Sequence, residues 1–196
     1  ISLLSEMAGK YSPRRVPEAD HRTVLAGLEP LVIEPEANFV NVGERANVAG
    51  SARFARLVRE EKWDEAVEIV RKQVEDGAQI IDVCMDAPMI DAREAMTHFL
   101  RLLAGEPDIA RVPLMLDSSS WDVLTEAMKA VQGKHIVNSV SLKEGEETFL
   151  AHLRTPAHPG IFRHDGPAHH GSRFHPRAWH DYAVDHLRAR FHHRPG

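Results

Sequence analysis

The chain has 196 residues, 43% of them hydrophobic, which is enough for one domain of ordinary size with a real core. Its net charge of −5 argues against general attraction to nucleic acid or to a membrane surface, and its lone cysteine, Cys84, excludes an internal disulfide. A single cysteine fits a reducing compartment. With no apolar run of membrane-spanning length and no signal-peptide pattern, the expected location is the cytoplasm. The first residue is Ile instead of Met, which suggests a piece of a longer protein.

Charge is unevenly spread. Residues 151–196 hold seven Arg, no Lys, three acids, ten of the 13 His and five of the 12 Pro, a formal +4 against −9 for residues 1–150. A break this sharp marks a boundary. Residues 1–37 are punctuated by Pro13, Pro17, Pro30 and Pro35 and read as a linker between domains, with room for a short helix at the start. Residues 38–150 read as the folded part, and 151–196 as an irregular His/Arg/Pro-rich tail.

The first strand is expected at Phe39, Val40 and Val42, running into Gly43-Glu44-Arg45-Ala46-Asn47. Ser51 can cap a helix whose apolar stripe begins at Phe54, Leu57 and Val58 and continues through Trp63, Ala66, Val67, Val70 and Val74. The stripe slips phase near Glu61, which predicts a bend or break, and Gly77 is placed to stop the helix. A second strand follows at 79–84. Asp91 and Glu94 then form a capping pair ahead of the stripe Met96, Phe99, Leu100, Leu103. A third strand at 112–117, a third helix ended by Gly133 and a fourth strand at 135–141 complete a β-α-β-α-β-α-β order. The strands are continuously apolar and the period is roughly 30 residues, the mark of βα units and a parallel sheet covered by helices. Strand signals alone leave an open sheet and a barrel equally available.

In both architectures function sits at the carboxyl ends of the strands. Those ends carry Glu44 and Asn47, then Asp82 with Asp86 just beyond, then Asp117 ahead of Ser118-Ser119-Ser120, then Asn138, Ser139 and Ser141. Arg45 is the only cation in the set, and neither a GxGxxG nor a P-loop pattern occurs. Carboxylates and amides in this arrangement suit a flat heterocycle, because a carboxylate accepts paired N–H groups and an Asn both donates and accepts. A divalent metal on the same oxygens is the other option. Taken singly, Asp117 can be a turn or cap residue, Asn138 a satisfied core amide, and Glu44 half of an ion pair with Arg45. Recurrence at four successive strand ends favours function. No covalent catalyst stands out. Cys84 reads as a small buried hydrophobe, His98 as a surface residue and His135 as structural.

The segments FVNVGERANVAGSARF, GAQIIDVCMDAPMIDAREAMTHFLRLLAGEPDIARVPLMLDSSSWDV and QGKHIVNSVSLKEGEE closely resemble the folate-binding module of the cobalamin-dependent methionine synthases, over roughly residues 11–150. The resemblance implies the first half, about four βα units, of an α/β (β/α)8 TIM barrel of the pterin-binding type. It implies a mouth that holds 5-methyltetrahydrofolate through Glu44, Asn47, Asp82, Asp117 and Asn138, with Asp117 and Asn138 gripping the pterin edge. The implied reaction moves the N5 methyl group to cob(I)alamin on a neighbouring module and on to homocysteine. Zinc would belong to the separate homocysteine-binding module, and both modules are implied partners. Dihydropteroate synthase and the corrinoid-protein methyltransferases are more distant relatives of the same barrel.

From about Arg154 the chain departs from that family. No fourth helix or fifth strand is expected there, and the tail composition is what a GC-rich gene gives when read out of frame. A barrel of this type takes about 250 residues to close. The isolated chain is therefore expected to be an unstable monomer with little methyltransferase activity. A further alternative is a non-functional product whose tail pairs His169-His170 and His192-His193 bind metal loosely.

Overall fold

The computed structural model describes residues 22–34, 39–139, 145–154 and 162–164, together with 7, 10, 11 and 36. A β-hairpin opens the described chain, with β1 Thr23–Ala26 antiparallel to β2 Pro30–Ile33. Strands β3 Val42–Asn47, β4 Ile80–Cys84, β5 Leu114–Asp117, β6 Ile136–Asn138 and β7 Phe162–His164 then form one sheet in that order, every neighbouring pair parallel. Between them run α1 Ala52–Arg59, α2 Trp63–Glu75, α3 Ala92–Ala104, the short α4 Pro107–Ala110, α5 Trp121–Ala130 and α6 Glu146–Arg154. This is the βα alternation of a partial barrel, as expected.

Local chemistry explains the boundaries. The Ser51 side chain accepts from the Phe54 N–H and starts α1, and Asp91 accepts from the Glu94 N–H and starts α3. The phase slip near Glu61 is a true break: α1 ends at Arg59, Glu61 takes φ 54°, and α2 restarts at Trp63. Gly77 ends α2 with φ 94°, a value that suits glycine.

The sheet has two differently built faces. Ile81, Val83, Leu114, Leu116 and Val137 point to the helices and share a core with Phe54, Met96, Phe99 and Leu103. Phe54 and Phe99 meet edge to face with ring centroids 5.3 Å apart. On the other face Ile80 and Ile136 pack with Leu25 and Ile33 of the hairpin and with Val40. The hairpin is tied to the amino ends of the strands. The Ala26 N–H donates to Lys134 O (2.9 Å), the Lys134 N–H to Ala26 O (2.8 Å) and the Leu28 N–H to Ala110 O (2.8 Å). It plugs the bottom of the half-barrel.

Three expectations change here. The stretch expected to be a linker contains this docked hairpin. Phe39, expected in a buried strand, is 57% exposed, and it is Val40 that packs inward. The region from about Arg154, expected to lack a fifth strand, contains β7, whose register against β6 is Ile136↔Phe162 through Asn138↔His164; α6, with Phe149 buried, ends where that region begins. A three-residue strand among Pro156, Pro159, Gly160 and Gly166 carries too short a pattern to read. Pairing through backbone groups needs no particular side chains. Ser141, the start of the linker and the His pairs of the tail lie outside the described residues.

Candidate functional site

Alternation along each strand decides what faces the mouth. In β4, Ile81 and Val83 are committed to the helices, so Ile80, Asp82 and Cys84 face the other way. In β5, Leu114 and Leu116 leave Met115 and Asp117 on that inner face, and in β6 Val137 leaves Ile136 and Asn138. Asp82 pairs in register with Met115, and Asp117 stands opposite both Cys84 and Asn138. Bulky residues therefore fill the lower layer of the inner face, while carboxylates and an amide make up its upper rim.

Glu44 and Asn47 are three positions apart, and in a regular strand such residues point to opposite faces. The sheet register removes the conflict. Gly43 pairs with Ile81 and Ala46 with Val83, so Glu44 and Arg45 together oppose the single residue Asp82. This bulge inserts one extra residue and turns Asn47 to the mouth while Ala46 enters the helix-side core. The Arg45 N–H at the bulge donates to Gln73 Oε1 of α2 (2.7 Å), which holds the irregular turn in place.

Asn47 is the hub of the cluster. Its Nδ2 donates to Asp82 Oδ2 (3.0 Å) and to Asp117 Oδ2 (3.4 Å), and its Oδ1 accepts from the Ala49 N–H (2.9 Å) and the Gly50 N–H (3.1 Å). Two donors and two acceptor positions are all that a side-chain amide has. Asn47 is thus fully engaged within the protein and braces the two aspartates. Asn138 Nδ2 donates to Asp117 Oδ1 (3.1 Å), which leaves its own Oδ1 as an acceptor to offer a ligand.

Asp82 is 5% exposed, and its Oδ1 is buried with no hydrogen-bond partner among the described residues. A carboxylate is costly in such a place. Burial pushes its pKa up to about 7; the Asn47 hydrogen bond opposes this, and the neighbouring Asp117 and Glu44 charges add to it. The mouth therefore holds a carboxyl group poised between its acid and its anion near neutral pH. Burial also pushes the Cys84 thiol up, which makes it unsuited to nucleophilic work. His135 behaves as a structural residue. Its Nδ1 accepts from the Leu114 N–H (2.9 Å) and its Nε2 bonds to Gln132 O (2.6 Å), so it carries its proton on Nε2, and burial lowers its pKa.

Sequence reasoning brings Glu44, Asn47, Asp82, Asp117 and Asn138 to one end of the sheet, and the structure joins the last four through hydrogen bonds. Glu44 lies on the bulge, near enough for its charge to act on Asp82. What the sequence does not reveal is the division of labour, with Asn47 as brace and Asp82 as the orphaned carboxyl. Metal clusters of three or more His, Cys, Asp or Glu are absent among the described residues. No described helix is long and apolar enough to cross a membrane.

A parallel βα sheet with acidic and amide groups gathered at the carboxyl ends of its strands is the arrangement of the α/β barrel class, whose sites lie at those ends. Residues 43–164 match the family model described as pterin binding enzyme, and the chain belongs to that family. The match runs from the second residue of β3 to the last residue of β7, so it takes in the parallel sheet apart from Val42.

Proposed function

We propose that the mouth binds the reduced pterin of 5-methyltetrahydrofolate and presents its N5 methyl group for transfer to cob(I)alamin. The corrinoid would be carried on a separate module and would pass the methyl group on to homocysteine in methionine formation. The observation that carries this reading is the Asp117–Asn138 pair. A carboxylate and an amide oxygen stand side by side at adjacent strand ends, on one face, braced from β3 by Asn47. Asp117 can accept the paired N–H groups of an aminopyrimidine edge while Asn138 Oδ1 accepts another.

The departing N5 must gain a proton or a hydrogen bond when its methyl group leaves. Asp82, titrating at about 7 with a buried and unpartnered Oδ1, is the mouth group suited to hold that proton. The protein's part is orientation and proton control, with no covalent intermediate. Glu44 adds to the negative field. The acidity of the rim favours methyl transfer over condensation of a pterin pyrophosphate, which wants cations near its phosphates.

Calorimetric titration with 5-methyltetrahydrofolate tests the reading. Asp117→Asn replaces an acceptor oxygen by a donor opposite the ligand's N–H groups and should weaken binding by about tenfold or more, the cost of an unmade charged hydrogen bond. Equal affinity in wild type and variant, or no binding by the wild type, contradicts it.

A further inference from the structure

Asp86 lies two residues beyond β4, in the loop leading to α3, yet its carboxylate is committed to a different loop. Oδ1 accepts from the Ser118 hydroxyl (2.8 Å), and Oδ2 accepts from both the Ser119 N–H (2.7 Å) and the Ser119 hydroxyl (2.8 Å). Ser118 Oγ in turn accepts from the Ser120 N–H (3.1 Å), which fixes that hydroxyl's proton on the Asp86 side. The Ser118 N–H donates to Asn138 O (3.0 Å), and Ser118 is 2% exposed. The residue that follows Asp117 is thus held from β6 through its backbone and from the β4–α3 loop through its side chain.

Asp117 ends β5 immediately before this doubly held residue, and its carboxylate accepts from Asn47 and Asn138. Three charge-assisted hydrogen bonds are a strong constraint on two loop residues. A loop tie with no bearing on the mouth would make the same three bonds. It would not transmit its loss to Asp117.

We propose that Asp86 is a positioning residue that acts on the ligand through Asp117, an assignment resting on the pterin-binding reading of the mouth. Asp86→Asn keeps the size of the side chain and turns one acceptor into a donor facing the Ser118–Ser119 donors, so the clamp opens while the core is untouched.

A double-mutant cycle with 5-methyltetrahydrofolate measures the coupling. Asp86→Asn should weaken binding about tenfold in the wild-type background and less than about threefold in the Asp117→Asn background, because one lost contact cannot be lost twice. The same fold-loss in both backgrounds, or no loss, overturns the proposal. The ligand-free protein supplies a second readout that stands even if the wild type binds no folate. The side-chain amide resonances of Asn138, bonded to Asp117, should shift in Asp86→Asn, and unmoved resonances overturn the proposal. Should Asp86→Asn fail to fold, Ser119→Ala removes one hydroxyl donor from the clamp, and the same shift is expected on a smaller scale.

Discussion

Burial, with one oxygen lacking a partner among the described residues, makes the charge state of Asp82 sensitive to the fold. Its pKa is raised above the unfolded value, so the stability it confers is fully present below pH about 4 and is lost as pH rises through about 7. Each pH unit separating the folded from the unfolded pKa is worth about 1.4 kcal/mol, which makes the loss about 4 kcal/mol. His135 works in the opposite sense. Its folded pKa lies below the unfolded value, so its contribution is present above pH 6.5 and is lost as pH falls below it. Urea unfolding of wild type and Asp82→Asn at pH 5 and pH 8 separates the two. Asp82→Asn should gain on wild type by about 2–3 kcal/mol more at pH 8 than at pH 5, whereas an equal difference at both pH values would show that Asp82 is not the group being titrated. At this scale Asp117 and Asn138 are legible in the sequence because each ends an apolar run at a strand terminus. The role of Asn47 is not, since it depends on a bulge that no local pattern in GERAN announces.

Elements with a long periodicity are legible in the sequence, including the break at Glu61. Helix α3 repeats Met96, Phe99, Leu100, Leu103 over a full 13 residues, and a stripe of that length has one reading. Phe99→Ala should destabilise the protein by about 3–5 kcal/mol, the range for removing a fully buried aromatic side chain, as read by chemical denaturation. A loss below about 1 kcal/mol would mean that the α3 face is not the core. The hairpin is hidden because the prolines around it signal a linker and its four-residue strands bury mainly Leu25 and Ile33. Its docking depends on Gly133, at φ 107°, where an added Cβ would meet the Ala26 carbonyl oxygen. Gly133→Ala combines that collision with a left-handed backbone and should cost more than about 1 kcal/mol. Hydrogen exchange at the Ala26 and Leu28 amides should quicken in the same variant, and unchanged protection at both would separate the hairpin from Gly133. Strand β7 escapes a sequence reading because edge pairing uses backbone groups, so three residues between prolines and glycines leave no periodic trace.

For the whole molecule the decisive feature is the two-layered inner face of the sheet, apolar at the hairpin end and polar at the mouth. Val42, Ile80, Met115 and Ile136 close the bottom with the hairpin, and Asn47, Asp82, Asp117 and Asn138 line the top. The family match spans the same strands. The alternation along β4, β5 and β6 makes the gathering of these tips legible, while the layer that closes the bottom requires the hairpin's position in space. The central claim is that this polar rim takes a pterin ring. It is tested most directly by following the amide resonances of the protein while 5-methyltetrahydrofolate is added. The account predicts shifts concentrated at the Asn138 side-chain amide and the backbone amides of Asp117 and Ser118, with Gly77 and Gly105 unmoved. Shifts centred on the helices or the hairpin, with the strand tips silent, would contradict it.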